Sequence, residues 1–190
     1  MDQTLRRAAL AFSWRWSSPD VRPISMTTGT IGNYRWAESE RVDHGARLPD
    51  VVRALADHIR GLRAVNVSWD SGRLLPGDLE IDASWEFLDG YAVSRPVDDD
   101  LIARWPYSNE GYDEWYFFRV LPTAFALIAW CNWTSAVLSE HRGMAFPSGV
   151  DLAGQLQTFA PALVIGQGTR MYVLATHEQP VQDFCALLEA

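Results

Sequence analysis

The clearest pattern along the chain is a strict alternation of apolar and polar residues over 79–87. Apolar side chains occupy every odd position of this segment and polar side chains every even one, and a shorter alternation runs over 65–70. A period of two is typical of a strand with one buried and one solvated face. Gly72, Pro76 and Gly77 lie between the two segments, and such residues favour turns. The pattern predicts a hairpin formed by 65–70 and 79–87.

Helical spacing of apolar residues predicts amphipathic helices elsewhere. Over 49–62 the apolar residues recur every three or four positions, and Pro49 is suited to a first turn. Three consecutive Asp residues at 98–100 are typical of a capped helix start. The segment 151–160 and a final segment opened by Pro180 also place their apolar residues on one helical face.

Further strands are predicted from apolar runs bounded by turn residues. The segment 114–120 is apolar on both faces, which is typical of a central strand. The segments 162–165 and 171–176 read as two strands joined by a glycine-containing turn at 166–168. The segment 24–36 alternates more weakly and is expected to form two short strands around a turn.

These elements together predict one α+β domain that covers residues 1–190. A mostly antiparallel sheet is expected to carry the helices packed on one face. The core is expected in 46–190, because residues 1–45 carry weaker patterns. A length of 190 residues fits a single domain, and a hydrophobic fraction of 48% with nine Trp supplies ample core material.

No segment of the sequence is typical of a membrane span. The longest apolar run, around 121–133, is interrupted by Pro122, Thr123 and Asn132 and is too short to cross a bilayer. The apolar stretch after Arg6 and Arg7 is also short and is followed by no small-residue cleavage site. We therefore expect a cytoplasmic protein without a membrane partner.

The charge of the chain narrows the class of partner. The formal net charge is −8, and all 16 basic residues are Arg. The absence of Lys fits the codon usage of a GC-rich bacterial genome, and selection against Lys is the alternative reading. An acidic chain argues against nucleic-acid binding, which requires a basic patch. It favours a cationic partner or serves solubility alone.

The sequence contains no recognisable catalytic, cofactor-binding or metal-binding motif. It lacks GxSxG, a P-loop and GxGxxG, and its four His residues lack the spacing of metal ligands. Cys131 and Cys185 lie in apolar stretches, where a free Cys usually packs as a small hydrophobe. Asp113 and Glu114 are adjacent in a predicted strand and so point to opposite faces, which disfavours an acid–base pair. We predict no cofactor and no metal, and the absence of motifs favours a protein that is not an enzyme.

Acidic residues are concentrated in two segments that form a candidate partner-binding surface. In the predicted hairpin, four carboxylates share the solvated face beside Asn66, with no Lys or Arg on that face to offset their repulsion. The segment 105–115 adds acidic and aromatic residues of the kind found at binding rims. The candidate partner-binding residues are Asp70, Glu80, Asp82, Glu86, Tyr107, Glu110, Tyr112, Asp113 and Trp115. The alternative interpretation is an ordinary solvated sheet face.

One part of the chain resembles a known group of proteins. Residues 111–118 read GYDEWYFF, and Cys131-Asn132-Trp133 follows them. Over about residues 105–190 the chain resembles small bacterial immunity-type proteins, which have a D-E-W-aromatic-F strand followed by an N-aromatic segment. Thr134-Ser135-Ala136 stands where a small, glycine-rich stretch is expected. The resemblance implies a fold and a toxin-neutralising setting, and it supplies no catalytic residues.

The sequence therefore predicts a protein-binding module, an immunity-type inhibitor that occludes a basic bacterial toxin or effector. Charge would steer the encounter, and aromatic side chains would hold the complex. One alternative is an enzyme or small-ligand domain with a pocket built from dispersed residues, for which Trp130, Cys131, Asn132 and Trp133 are lining candidates. A second alternative is a subunit of a larger assembly that buries a Trp-rich patch.

Overall fold

The computed structural model describes residues 25–39, 48–67, 84–88, 92–105, 113–139, 158–167 and 170–189. Within these ranges eight strands are defined: β1 (Met26–Ile31), β2 (Tyr34–Ser39), β3 (Arg63–Val67), β4 (Glu86–Leu88), β5 (Ala92–Pro96), β6 (Asp113–Phe118), β7 (Leu163–Gln167) and β8 (Met171–Ala175). The same ranges contain five helices: α1 (Leu48–Ala54), α2 (Ala56–Ile59), α3 (Asp99–Ala103), α4 (Ala124–Ser139) and α5 (Gln179–Glu189). Most of the helix predicted at 151–160 lies outside the described residues.

The eight strands form one sheet in the order β1-β2-β8-β7-β6-β3-β5-β4. Every described strand pair is antiparallel. The strand β6 lies between β7 and β3, and residues 114–118 are all buried, as expected for a segment that is apolar on both faces. The predicted α+β fold with a mostly antiparallel sheet is confirmed. Among the described strands, β1 and β4 form the two edges.

The side chains of the central strands divide into two cores, one on each side of the sheet. Along β6, Trp115 and Phe117 enter one core, and Tyr116 and Phe118 enter the other, because successive strand residues point to opposite faces. We call the side that carries Trp115 the front face and the side that carries Tyr116 the back face. All four aromatic side chains are completely buried.

The helices cover both faces. Helices α1, α2, α3 and α5 contribute buried residues to the front-face core, so four of the five described helices pack on one face of the sheet, as predicted. Helix α4 lies on the back face, where Leu127, Trp130 and Cys131 join the second core. The sequence of α4 is apolar over most of its length, so the helix can cover the aromatic residues of the back face with apolar side chains.

Local sequence explains how several elements begin. Pro49 lies in the first turn of α1, as predicted, where a missing N–H leaves no helical hydrogen bond unmade. Asp98 is the N-cap of α3, and its Oδ1 accepts a hydrogen bond from the backbone N–H of Leu101 at 2.7 Å. Gly32, in the turn between β1 and β2, has φ of +54°, a conformation that glycine adopts without steric cost.

The predicted hairpin between 65–70 and 79–87 is wrong in its strand pairing. Strand β3 pairs with one side of β5, and β4 pairs with the other side, so β5 separates the two segments. The sequence of β5 does not indicate a buried strand, because two of its buried residues, Ser94 and Arg95, are polar. Residues 68–70 and 79–83 of the predicted hairpin lie outside the described part of the chain.

Candidate functional site

The structure describes the surroundings of two predicted partner-binding side chains, Glu86 and Trp115. The predicted residues outside the described ranges are Asp70, Glu80, Asp82, Tyr107, Glu110 and Tyr112. Asp113 begins β6, and its side chain is also outside the described set. Of these two side chains, Trp115 is buried in the core and Glu86 lies at a sheet edge.

Trp115 is buried in the front-face core and forms no part of a surface. Its side chain is 0% exposed, and its ring centroid lies 4.7 Å from that of Trp105 and 6.2 Å from that of Trp85. The prediction that Trp115 contacts a partner is therefore wrong. An aromatic residue beside carboxylates is typical of a binding rim, but β6 is a central strand with both faces covered.

Glu86 lies on the edge strand β4, and its side chain is 57% exposed. Its Oε2 is 2.9 Å from Nη2 of Arg63, a residue just before the predicted hairpin strand. The register places Glu86, Ser94 and Val65 on one side of the sheet and Asn66 on the other. The predicted acidic face placed Glu86 beside Asn66. That placement is wrong, because β5 separates β3 from β4 and the two side chains lie on opposite sides of the sheet.

Phe87 follows Glu86 and is the exposed aromatic side chain of this edge. The alternation predicts Phe87 on the buried face, yet its side chain is 58% exposed. Its cross-strand neighbour Val93 is fully buried, so burial ends between β5 and β4. Among the described strands β4 has a neighbour on one side only. We call the three residues of β4, Glu86–Leu88, the β4 edge; it presents an aromatic ring next to a carboxylate.

The acidic run before α3 is engaged in ion pairs within the protein. Oδ2 of Asp100 accepts hydrogen bonds from Arg104 and, at 3.1 Å, from Arg95, and Arg60 donates to Asp99 at 2.9 Å. The hydrogen bond from Arg104, followed by that from Arg95, lowers the pKa of Asp100 below its usual value. These carboxylates therefore offer a partner less unbalanced charge than their sequence indicates.

A buried carboxylate lies on the back face. Glu114 is 1% exposed, and it accepts hydrogen bonds from the phenol of Tyr116 at 2.6 Å and from the phenol of Tyr172. Gly166 is the cross-strand neighbour of both Glu114 and Tyr172, and a Cβ at Gly166 would collide with the Tyr172 ring. The missing side chain thus lets the phenol cross β7 to Glu114. The prediction of Gly166 as a turn residue is wrong, since it lies within β7.

The thiol of Cys131 belongs to the same buried surroundings. Burial, followed by the charge of Glu114, raises the pKa of Cys131 to about 12. Burial is also the main cause that raises the pKa of Tyr116 well above its usual value. A thiol and a phenol of this kind stay protonated at neutral pH, so they are poor nucleophiles. The arrangement is a hydrogen-bonded network within the core.

The residues proposed to line an alternative pocket instead fill the back-face core. Trp130, Cys131 and Trp133 are buried, and the Trp130 ring meets Tyr34 edge-on with centroids 5.5 Å apart. Asn132 is exposed on the outer side of α4. This segment therefore holds α4 on the sheet, and a small-ligand site has to be sought elsewhere in the described structure.

Comparisons with models of protein families, with curated proteins and with solved structures found no match to this chain. Among the described residues, no cluster of three or more His, Cys, Asp or Glu is arranged to hold a metal ion. The described helices include none with the length and apolar character needed to cross a membrane. The candidate interaction site therefore rests on the geometry of the β4 edge.

Proposed function

We propose that this protein is a stoichiometric protein-binding module, an immunity-type inhibitor that occludes a basic bacterial toxin or effector. The observation that supports it best is the β4 edge, where Phe87 exposes 58% of its side chain beside a half-exposed carboxylate. Aromatic residues at such positions act as anchors in protein interfaces. A net charge of −8 favours a cationic partner over an acidic one.

The β4 edge combines two kinds of contact that a partner protein can use. An edge strand is a template for a further strand, because the backbone groups on its outer side are available for pairing. Glu86 supplies a carboxylate at this edge, and two further acidic residues, Glu80 and Asp82, precede it in the sequence. The Glu86 side chain is 57% exposed and its ion-pair partner Arg63 only 23%, so the exposed side of the carboxylate can accept a hydrogen bond from an arginine of the partner while the pair with Arg63 is kept.

Affinity capture with two matched Phe variants tests the proposal. Phe87→Ala removes the anchor, and Phe125→Ala removes a phenylalanine of almost equal exposure, 59% against 58%, at the start of α4. Each variant and the wild-type chain is immobilised and exposed to host lysate at low and moderate salt. We expect wild type and Phe125→Ala to recover the same basic protein, and Phe87→Ala to recover at least about tenfold less of it.

The proposal fails if no basic protein is recovered at any salt concentration. It also fails at this edge if Phe87→Ala and Phe125→Ala recover the partner equally. Circular dichroism of both variants checks that their folds are intact; both side chains lie more than half exposed, so little core packing is removed.

A further inference from the structure

A small cleft lies on the front side of the molecule, and none of its lining residues belongs to a predicted site. It encloses about 280 Å³, and its lining includes His58, Gly61, Arg119, His177 and Pro180. These residues come from three separate parts of the described chain, so sequence spacing gives no signal for them. The volume lies at the lower end of the range of ligand pockets, about 300–1,000 Å³, and has room for a small anion or a phosphomonoester.

The cleft's cationic or ionisable side chains lie on an ordered element or directly beside one. Arg119 follows directly after the buried strand β6, and His177 lies between β8 and α5. His58 belongs to α2, and its Nε2 is 2.7 Å from Oδ2 of Asp183 on α5. The cleft is therefore positioned by the central sheet and two front-face helices.

Asp183 orients the imidazole of His58. The hydrogen bond with His58, followed by one from Gln179, lowers the pKa of Asp183, so this carboxylate remains ionised at neutral pH. Since Nε2 of His58 contacts Asp183, its Nδ1 is the ring nitrogen left for a ligand. The carboxylate behind the imidazole fixes the orientation of the ring, as carboxylates do for metal-binding histidines.

The other two side chains are available for a ligand. Neither Arg119 nor His177 makes a hydrogen bond or an ion pair with any residue that the structure describes. None of the described residues lining the cleft is Asp or Glu. Three nitrogen-bearing side chains thus converge on one small space with no lining carboxylate, an arrangement that attracts an anion rather than a cation.

We propose that this cleft binds a phosphate group, either as the free ion or as a phosphomonoester. The guanidinium of Arg119 can donate two parallel hydrogen bonds to a tetrahedral oxyanion. The imidazole of His177 supplies a further N–H donor, and Nδ1 of His58 supplies another in the doubly protonated form of that ring, whose Nε2–H donates to Asp183. The proposal is independent of the β4 edge, since it uses none of the same residues, and it gives the protein a small-ligand site in addition to a partner-binding one.

NMR titration of the histidine side chains provides the test. Inorganic phosphate and O-phosphoserine are added separately at constant ionic strength while the imidazole signals of the full chain are recorded. We compare wild type with Arg119→Ala, His177→Asn and the control Arg35→Ala. Arg35 is also exposed and has no ion pair with the described residues, but it lines a different groove beside β1.

We expect saturable shifts of the His58 and His177 signals with at least one of the two compounds. Arg119→Ala should weaken binding by about tenfold or more, as befits the loss of a charge-assisted hydrogen-bonding pair, and His177→Asn should weaken it less. Arg35→Ala should leave the dissociation constant within about twofold of wild type, the change expected for a distant surface charge. Tighter binding of O-phosphoserine identifies a phosphomonoester as the ligand, and tighter binding of phosphate identifies the free ion.

The proposal is overturned if neither compound produces a saturable shift. It is also overturned if Arg35→Ala weakens binding as much as Arg119→Ala, because the effect would then be one of overall charge. Partner capture by the β4 edge is read independently of these signals, so either proposal can fail while the other stands.

Discussion

At the scale of single residues, the absent side chain of Gly166 organises the back face. Tyr172 passes over Gly166 to donate a hydrogen bond to Glu114, two strands away in the sheet. A carboxylate that is 1% exposed requires such donors, because a buried charge without hydrogen bonds is strongly destabilising. The phenols of Tyr116 and Tyr172 meet this need from neighbouring positions of the same face.

Gly166→Ala is expected to destabilise the fold by about 2–3 kcal/mol, because the new Cβ collides with the Tyr172 ring and forces it away from Glu114. Urea denaturation measures the change in the free energy of unfolding. In a Tyr172→Ala background the collision is absent, so the same Gly→Ala change should have a much smaller effect. Equal effects in the two backgrounds would show that the ring and the glycine are not coupled.

The two cysteines are expected to differ in reactivity. Cys131 is fully buried and its pKa is raised to about 12, whereas Cys185 on α5 is partly exposed. Alkylation with iodoacetamide at pH 8 should modify Cys185 first and leave Cys131 unmodified in the folded protein, while both should react in urea. Peptide mass spectrometry distinguishes the sites, and equal rates in the native state would contradict the burial of Cys131.

Alkaline pH should lower stability through the same thiol. The folded-state pKa of Cys131 is raised from 9.0 to about 12 by burial. Its contribution is therefore complete below pH 9 and is lost as pH rises towards 12. The loss amounts to at most about 1.4 kcal/mol per pH unit for one such group. Urea denaturation between pH 8 and 11 should show a shallower decline for Cys131→Ala than for wild type, and parallel curves would contradict the assignment.

At the scale of elements, helix α3 depends on its first residues. It is only five residues long, and Asp98 satisfies the N–H of Leu101 as the N-cap. A helix this short has little intrinsic stability in water, so the cap and the packing of its two buried residues must hold it in place.

Asp98→Ala is expected to lower the free energy of unfolding by about 1 kcal/mol, the usual effect of losing a side-chain cap. Asp98→Asn keeps an oxygen acceptor and should cost less than half as much. Chemical denaturation of both variants provides the measurement. An Asn variant as unstable as the Ala variant would show that charge, through the neighbouring Arg95, matters more than the cap.

Elements with a regular pattern could be predicted, and their arrangement could not. The helical spacing in α5 correctly placed Val181, Phe184 and Leu188 in the core. The apolar run of β6 correctly indicated a central strand. The order of β3, β5 and β4 depends on cross-strand contacts that local patterns do not encode, and the polar sequence of β5 removed the main signal.

The candidate sites could not be predicted from the sequence either, because they depend on how distant segments come together in the fold. Exposure of Phe87 depends on β4 lying at an edge, which alternation cannot reveal. The contact between His58 and Asp183 joins residues 125 positions apart, so it could not be predicted from the spacing of a sequence motif. The acidic residues can be counted in the sequence. That Arg63, Arg95 and Arg104 form ion pairs with some of them is a property of the folded chain.

At the scale of the whole molecule, a net charge of −8 acts on a partner over a longer distance than any direct contact does. Long-range attraction between opposite charges increases the association rate and weakens as salt screens it. Anchoring by an aromatic side chain acts afterwards and mainly slows dissociation. The two contributions can therefore be separated by kinetics.

The double variant Glu80→Lys/Asp82→Lys should lower the association rate for the captured partner by about tenfold at low salt, with little change in the dissociation rate. Phe87→Ala should do the reverse. Surface plasmon resonance at two ionic strengths measures both rates. An unchanged association rate for the double variant would remove these two acidic residues from the interface.

The most direct measurement is a titration of the captured partner's own toxic or enzymatic activity with the purified protein. An inhibitor that works by occlusion should reduce that activity linearly to near zero at a 1:1 molar ratio, and Phe87→Ala should shift the end point to a large excess while Phe125→Ala leaves it in place. A partner that remains fully active when saturated with the wild-type chain would contradict the proposed function.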